Sequence, residues 1–379
     1  MSRARDFADL AAAYGGGALD GRNMLINGDM AVAQRTTSLS IVHDGTSSGF
    51  ACDRWLAQEV QHDELEGTLA QVAVTDLAGF TNALKWTTTE PESAIGANEA
   101  FDICQKIEGQ NCQRFAYGLA GAKKATLSFW VKSSVTGTYG VNFYKDDSAG
   151  SLTTKNFTST YAISSADTWE KKTITVPADT ATSGGITDDT GEGLRISWHL
   201  GTGSDFTSQD TSSAWTDYTN AGWAYGHAQN GVTTTDNATW FLTGVQFELG
   251  EVATPFEHES YADTLRKCQR YYYVAAEGND EPLGSGVAES ATSSSWIMPF
   301  PVTMRASPTI EDVEATNYYI SYGGGATDTF DGIKTADMSA KAAYCYNDAG
   351  LNAGGNTAGR GVVVSTNNAS SKVAFGTEL

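Results

Sequence analysis

Apolar and polar residues alternate with a period of two through most of the chain from Asn23 to about Glu257. In ATLSFWVKSS the residues Leu127, Phe129 and Val131 share one face, and YGVNFYK repeats the scheme with Tyr139, Val141 and Phe143. GLRISWHLG sets Leu194, Ile196, Trp198 and Leu200 against Arg195, Ser197 and His199, which places Trp198 in the expected core, and TITVPA directs Ile174 and Val176 inward. LTGVQFELG gives one more strand, with Phe241, Val245, Phe247 and Leu249 on the apolar side, Thr243, Gln246 and Glu248 opposed, and Gly250 ending it. Short strands joined by polar, Gly-rich connections predict two antiparallel sheets packed face to face.

Two segments have helical periodicity instead. Ser2 caps a helix carrying Phe7, Leu10, Ala11 and Tyr14, ended by Gly15, Gly16 and Gly17. So short a helix needs a partner surface: copies of itself, another protein or its own domain. After Pro255, Ser260 caps a helix through SYADTLRKCQRYY with Tyr261, Leu265 and Cys268 as its apolar stripe. Asp263 near its start and Arg266, Lys267 and Arg270 near its end suit the helix dipole. AAEGNDEPLGSG then reads as a polar, turn-rich break.

Beyond it the alternation resumes. SSWIMPFPVTM opposes Trp296, Met298, Phe300, Val302 and Met304 to Ile297, Pro299, Pro301 and Thr303, and its prolines confine it to a sheet edge or an interface. GVVVSTNNASSKVAF reads as two strands joined around Asn367 and Asn368. The expected fold is all-β: a short helix over 1–22, an antiparallel β-sandwich over 23–257, a connector helix over 258–274 and a small β domain over 275–379.

Composition agrees with an ordered β protein: 40 glycines, only 7 prolines and 11% aromatic residues in 379. A formal charge of -21 argues against nucleic acid and anionic membrane as partners and is the kind of balance that keeps a protein soluble. No stretch approaches the roughly 20 apolar residues of a membrane span, and the N-terminus lacks the apolar core of a secretion signal, so synthesis in a cytosol is expected. The 5 cysteines are scattered and read as buried free thiols, with Cys104 and Cys112 in CQKIEGQNC the pair spaced to bridge a loop. No zinc-site spacing occurs, and neither metal nor cofactor is assigned. TDDTGEG offers Asp188, Asp189 and Glu192 to a calcium ion without the spacing of a known calcium loop.

Candidate chemistry concentrates in one loop, GTGSDFTSQDTSSAWTDYTNAGWAYGHAQNG. Trp215, Tyr218, Trp223, Tyr225 and His227 stand there beside Asp205, Asp210, Asp217 and Asn220. Aromatic faces next to carboxylates and amides suit sugars, whose rings present an apolar C–H face and hydroxyls that need positioned partners. Trp223 and Tyr225 lead this candidate carbohydrate site; the competing reading has Trp215 and Tyr218 pinning the loop to the sandwich, or the aromatics lying between chains. GTSSG, Gly45 to Gly49, matches a nucleophile-elbow pattern but stands in a β context instead of a strand–turn–helix. CDRW reads as structural, an Asp53–Arg54 contact near a core Trp55.

NMLINGDMAVAQR, CDRW, LSFWVKSS, LTGVQFELGEVATPFEHESYADTLRKCQRYYY, FPVTMRASPTI and a final FGTEL, in that order and spacing, resemble the tail fibre and receptor-binding proteins of tailed bacteriophages. The resemblance covers most of the chain, though Gly201 to Gly231 matches only loosely. It implies a carbohydrate-binding-module-like jelly roll, a connector helix packing around a threefold axis, and a C-terminal β domain. It further implies a homotrimer attached to other virion tail proteins through residues 1–22 and located in the virion tail after assembly in the host cytoplasm. The expected function is a non-enzymatic adhesin for a bacterial surface glycan, without nucleic-acid binding or membrane insertion. A polysaccharide depolymerase and a purely structural decoration or collar protein are the alternatives.

Overall fold

The computed structural model describes residues 21–42, 48–146, 152–228, 231–323, 326–348 and 356–379. Only Gly21 and Arg22 of the expected N-terminal helix fall among them, and most of GTSSG lies outside them. The chain divides into two compact units, one ending at Thr264 and including Leu379, the other Leu265–Glu378.

The strands of the first unit are β1 (Ser38–Ile41), β2 (Ser48–Cys52), β3 (Trp55–Val60), β4 (Glu66–Ala73), β5 (Asn82–Glu90), β6 (Ala100–Glu108), β7 (Ala125–Ser133), β8 (Gly137–Lys145), β9 (Lys155–Ile163), β10 (Glu170–Val176), β11 (Glu192–Thr202), β12 (Thr216–Asp217) and β13 (Thr239–Leu249). They form a 6-stranded sheet ordered β1-β4-β5-β13-β7-β10 and a 7-stranded sheet ordered β12-β9-β8-β11-β6-β3-β2, with antiparallel pairing throughout. Neighbours far apart in sequence, such as β5–β13 and β11–β6, make this a jelly-roll sandwich.

Aromatic rings fill the space between the sheets because the alternation aims them there from both sides. Trp198 of β11 packs edge-on to Phe129 of β7 at 5.7 Å and against Trp55 at 5.6 Å, while Trp86 of β5 meets Phe101 of β6 at 4.4 Å. Leu127, Phe129, Val131, Tyr139, Val141, Phe143, Ile174, Val176, Leu194, Ile196, Trp198 and Leu200 are all buried, as the period-two pattern requires.

The closing strand β13 departs from that pattern. Trp240 and Leu242 are its core residues before Gly244, and Val245 and Phe247 after it. A register shift between Thr243 and Gln246, with Gly244 at φ +60, inserts a bulge that reverses which parity faces inward. Phe241, expected in the core, therefore sits on the outer face between Lys85 and Lys132, whose ammonium groups lie 5.4 and 4.6 Å from its ring centre.

A one-turn helix α1 (Gly109–Cys112) follows β6, and α2 (Tyr261–Gln269) spans the junction of the two units. Ser260 caps α2: its hydroxyl accepts the Asp263 N–H at 3.2 Å and donates to the Asp263 carboxylate at 2.6 Å. The expected stripe is shifted, for Tyr261 is 60% exposed and Thr264 and Cys268 are the buried positions. All five cysteines are buried free thiols, including Cys104 and Cys112.

The second unit comprises β14 (Tyr272–Ala288), β15 (Ser294–Pro299), β16 (Thr309–Asp312), β17 (Tyr319–Gly323), β18 (Ala326–Phe330), β19 (Gly332–Met338), β20 (Ala342–Asp348) and β21 (Gly361–Gly376). AAEGNDEPLGSG, read as a break, is part of the 17-residue β14, whose ladder with β21 absorbs Gly278 and Pro282 through several register shifts. Asn367 and Asn368 likewise lie in a wide bulge within one continuous β21 instead of a hairpin turn. β15 is an interior strand between β14 and β20, not an edge; Pro299 only ends it, and Pro301 lies beyond.

Candidate functional site

The outward-facing side chains of the 7-stranded sheet form rows across its strands. Arg195 of β11 pairs with Tyr144 of β8 and Lys106 of β6, and two residues along, Ser197 pairs with Asn142 and Cys104. His199 pairs with Asp102, which pairs with Gln58 of β3. Water does not reach most of this face, because the connection between β11 and β13 folds over it.

That cover is fixed through polar contacts. The Asn156 amide donates to the Gly222 carbonyl at 2.8 Å, Thr158 and Thr211 share a hydroxyl hydrogen bond, and His199 Nε2 donates to the Trp223 carbonyl at 3.0 Å. His227 Nδ1 accepts the Gly140 N–H at 3.1 Å. Burial drives the His199 imidazole down to about 3, with the adjacent His227 adding to the effect, and burial alone takes His227 down to about 4.

The cover stops short of β3 and β6, and its edge leaves a groove of about 390 Å³, inside the range of roughly 300–1,000 Å³ typical of ligand sites. One wall is Phe206, Tyr218, Asn220 and Trp223; the floor is Tyr144, Arg195 and Asp102; Gln58, Val60, Gln61 and Asn98 form the opposite side. Tyr144, Tyr218 and Trp223 make a mutually edge-on trio, with ring centres 5.1, 5.4 and 5.8 Å apart. The Arg195 guanidinium lies 5.3 Å from the Tyr144 ring and 5.8 Å from that of Trp223. Glu192 orients it through hydrogen bonds of 2.8 and 3.0 Å.

On the floor, burial pushes the Asp102 carboxyl up to about 6, opposed by Arg195, the Ser197 hydroxyl and Lys106. Its Oδ2 makes no hydrogen bond among the described residues. Burial and the neighbouring Asp146 push the Tyr144 phenol up to about 12, so it remains a proton donor at neutral pH. Apolar ring edges, amides on both rims, and a cation beside a carboxyl are thus gathered in one trough.

Of the five residues read from the sequence as a carbohydrate site, the groove brings together Tyr218 and Trp223, joined by Asp205 and Asn220 from the same loop. Trp215 lies in the core, its indole N–H donating to the Pro177 carbonyl at 2.8 Å and its ring 4.6 Å from the Lys145 ammonium. It pins the cover down. His227 is buried beneath it, and Tyr225 is partly exposed outside the groove lining. Tyr144, Arg195, Asp102 and Gln58 escaped the sequence reading; their only signal is that each faces outward on a strand whose alternate residues are core.

The other candidate motifs have structural partners. Glu192 of TDDTGEG is held by Lys106 at 3.1 Å and by Arg195, and the Asp189 carboxylate accepts the Gly191 N–H at 2.8 Å. In CDRW, Asp53 accepts from Gln34, Arg54 donates to the Lys106 carbonyl at 2.7 Å, and the Trp55 indole donates to the Asn27 carbonyl at 2.9 Å.

No protein-family model matches the chain, and no curated protein matches it. Among solved structures, it is similar to a putative sugar binding protein from Bacteroides thetaiotaomicron, at 16% identity over 60% of this chain and 100% of that one, with a TM-score of 0.34. A family 11 carbohydrate-binding module from Clostridium thermocellum in complex with a mixed-linked tetrasaccharide matches at 10% identity over 59% of this chain and 99% of that one, TM-score 0.28. The enzymatically active domain of tailspike protein 4 of bacteriophage CBA120 matches at 12% identity over 60% of this chain, TM-score 0.31, and the match spans only 22% of that longer protein.

Proposed function

We propose that the groove binds carbohydrate, and that the chain is a bacteriophage tail fibre or tail-tip adhesin that attaches a virion to a bacterial surface glycan without cutting it. The observation that carries the binding assignment is the trio of Tyr144, Tyr218 and Trp223 set against amides on the facing rim. A sugar ring rests its C–H face on such aromatic surfaces while its hydroxyls exchange water for Gln58, Gln61, Asn98 and Asn220. The virion setting rests on the sequence resemblance and on the fit between a shallow, open groove and a chain acting in several copies.

The test is to immobilise the full chain, pass bacterial surface polysaccharides over it, and assay both retention and new reducing ends. We expect retention without cleavage. Tyr218→Ala and Gln58→Ala should each weaken retention by about 10-fold or more, equivalent to about 1.4 kcal/mol, with unfolding midpoints unchanged. Tyr218 suits this because its hydroxyl donates to Asn220 at 2.7 Å on the same loop, while the backbone N–H that ties it to the Thr154 carbonyl survives the substitution. New reducing ends would replace the adhesin with a depolymerase. Retention insensitive to both substitutions would remove the groove from the binding site.

A further inference from the structure

Beside the groove, but not lining it, three side chains from separate segments converge. His62 follows β3, Glu92 follows β5 and Glu99 precedes β6. His62 Nδ1 lies 2.9 Å from Glu92 Oε2 and 3.6 Å from Glu99 Oε2, and the side chains are 0%, 2% and 9% exposed. One ligand atom from each lies within 4.8 Å of the others.

We propose that His62, Glu92 and Glu99 form a divalent transition-metal site, with zinc the best match. Tetrahedral ligands on bonds of about 2.0 Å stand about 3.3 Å apart, and the separations of 2.9 and 3.6 Å bracket that value. One imidazole with two carboxylates is a borderline donor set, whereas calcium and magnesium favour oxygen alone. Three protein ligands also leave a fourth position for water or a further donor.

The charge of the cluster supports a cation independently of these distances. Neither carboxylate is paired with a Lys or Arg among the described residues, although both are buried. Glu99 Oε2 accepts the Gly96 N–H at 2.6 Å, a dipole that offsets buried negative charge only in part. His62 Nε2 is buried without a hydrogen bond, so the ring's polar contacts run through Nδ1 to the two carboxylates. A divalent ion bound at Nδ1 would supply positive charge beside the two acids. It would also tie together the segments carrying Gln61 and Asn98, each one residue from a ligand and both on the groove rim. The inference does not depend on what the groove binds.

The test is calorimetric titration of zinc into the chelator-stripped full chain at pH 7.5, with cobalt as a spectroscopic substitute. We expect one zinc per chain at this site, a cobalt spectrum of nitrogen and oxygen ligands without a thiolate band, and NMR shifts confined to the ring of His62 among the five histidines. His62→Gln and Glu99→Gln should each weaken zinc binding by more than about 100-fold, beyond what loss of an outer-shell partner costs, with near-ultraviolet dichroism retained. Absence of zinc uptake, a thiolate band, ring shifts at other histidines, or uptake unchanged in both folded variants would overturn the site. The wild-type NMR result stands even if a variant fails to fold.

Discussion

His199 and His227 show how one residue's burial sets the pH response of the fold. Both rings lie under the loop that covers the 7-stranded sheet, with centres 6.1 Å apart, and both are held neutral, titrating near 3 and near 4. In the unfolded chain each would titrate near 6.5, so between these values the unfolded state binds more protons. Their contribution to stability is therefore intact above about pH 6.5 and is lost as the pH falls toward 4. Asp102 works the other way: with a folded value near 6 against 3.8 it takes up a proton in the fold first, which offsets part of the loss. Two histidines shifted further than one aspartate leave a net decline. Urea midpoints at pH 7.5 and 4.5 should therefore differ, the lower at 4.5, and His227→Gln should narrow the difference. Equal midpoints would mean that the rings protonate in place.

At the scale of elements, the segments that carry the phage resemblance touch one another. The Glu257 carboxylate accepts the N–H groups of Gly21 and Asn23 at 2.6 and 2.7 Å, while Asn23 reaches the Val245 carbonyl at 2.9 Å. Glu248 accepts both the N–H and the hydroxyl of Thr254, and Gln246 accepts the Glu257 N–H at 2.7 Å. NMLING and VQFELGEVATPFE are therefore two halves of a clasp where the chain enters and leaves the sandwich, so their pattern reports architecture and not ligand. Gly28 belongs to it, since a Cβ there would stand 2.2 Å from the Val245 carbonyl oxygen.

The bulge in β13 is the other device of this element. At Gly244 a side chain would meet left-handed backbone and stand 2.6 Å from Phe80 and 3.0 Å from Trp130. Gly244→Ala should cost about 2 kcal/mol or more in urea unfolding. Gly121→Ala, where nothing lies within 4 Å, should stay within about 0.5 kcal/mol. The same bulge marks where sequence reasoning fails. Strict alternation located the core faces of β7, β8, β10 and β11, but one inserted residue moved Phe241 out and Trp240 in. Tyr218 and Trp223 were legible because aromatics in a polar loop stand out, whereas Tyr144 and Arg195 look like ordinary outward residues until pairing aligns them. His62, Glu92 and Glu99 follow no motif spacing: β3 pairing with β6 brings His62 to Glu99, and Glu92 joins them from the end of β5 in the other sheet.

For the whole molecule, charge and exposed apolar surface bear on how many chains act together. Each copy carries a formal charge of -21, so association must overcome repulsion that salt screens with a length of about 10 Å at 0.1 M. The sheet of the second unit offers apolar surface for it. Tyr322 and Val363 face each other across β17 and β21 and are 40% and 45% exposed, and Ile297 of β15 is 62% exposed. The homotrimer that the sequence resemblance implies would cover these residues with neighbouring copies. Sedimentation at 0.15 M salt should then give three times the 40.2 kDa chain mass, drifting toward monomer at low salt, where repulsion reaches further. Ile297→Asp with Val363→Asp should yield folded monomers. Those monomers should keep the wild-type affinity for a soluble oligosaccharide yet lose retention on a glycan-coated surface, since three weak grooves on one particle act at high effective concentration. A monodisperse wild-type monomer, or a double variant that remains trimeric, would separate the adhesin from this mode of assembly.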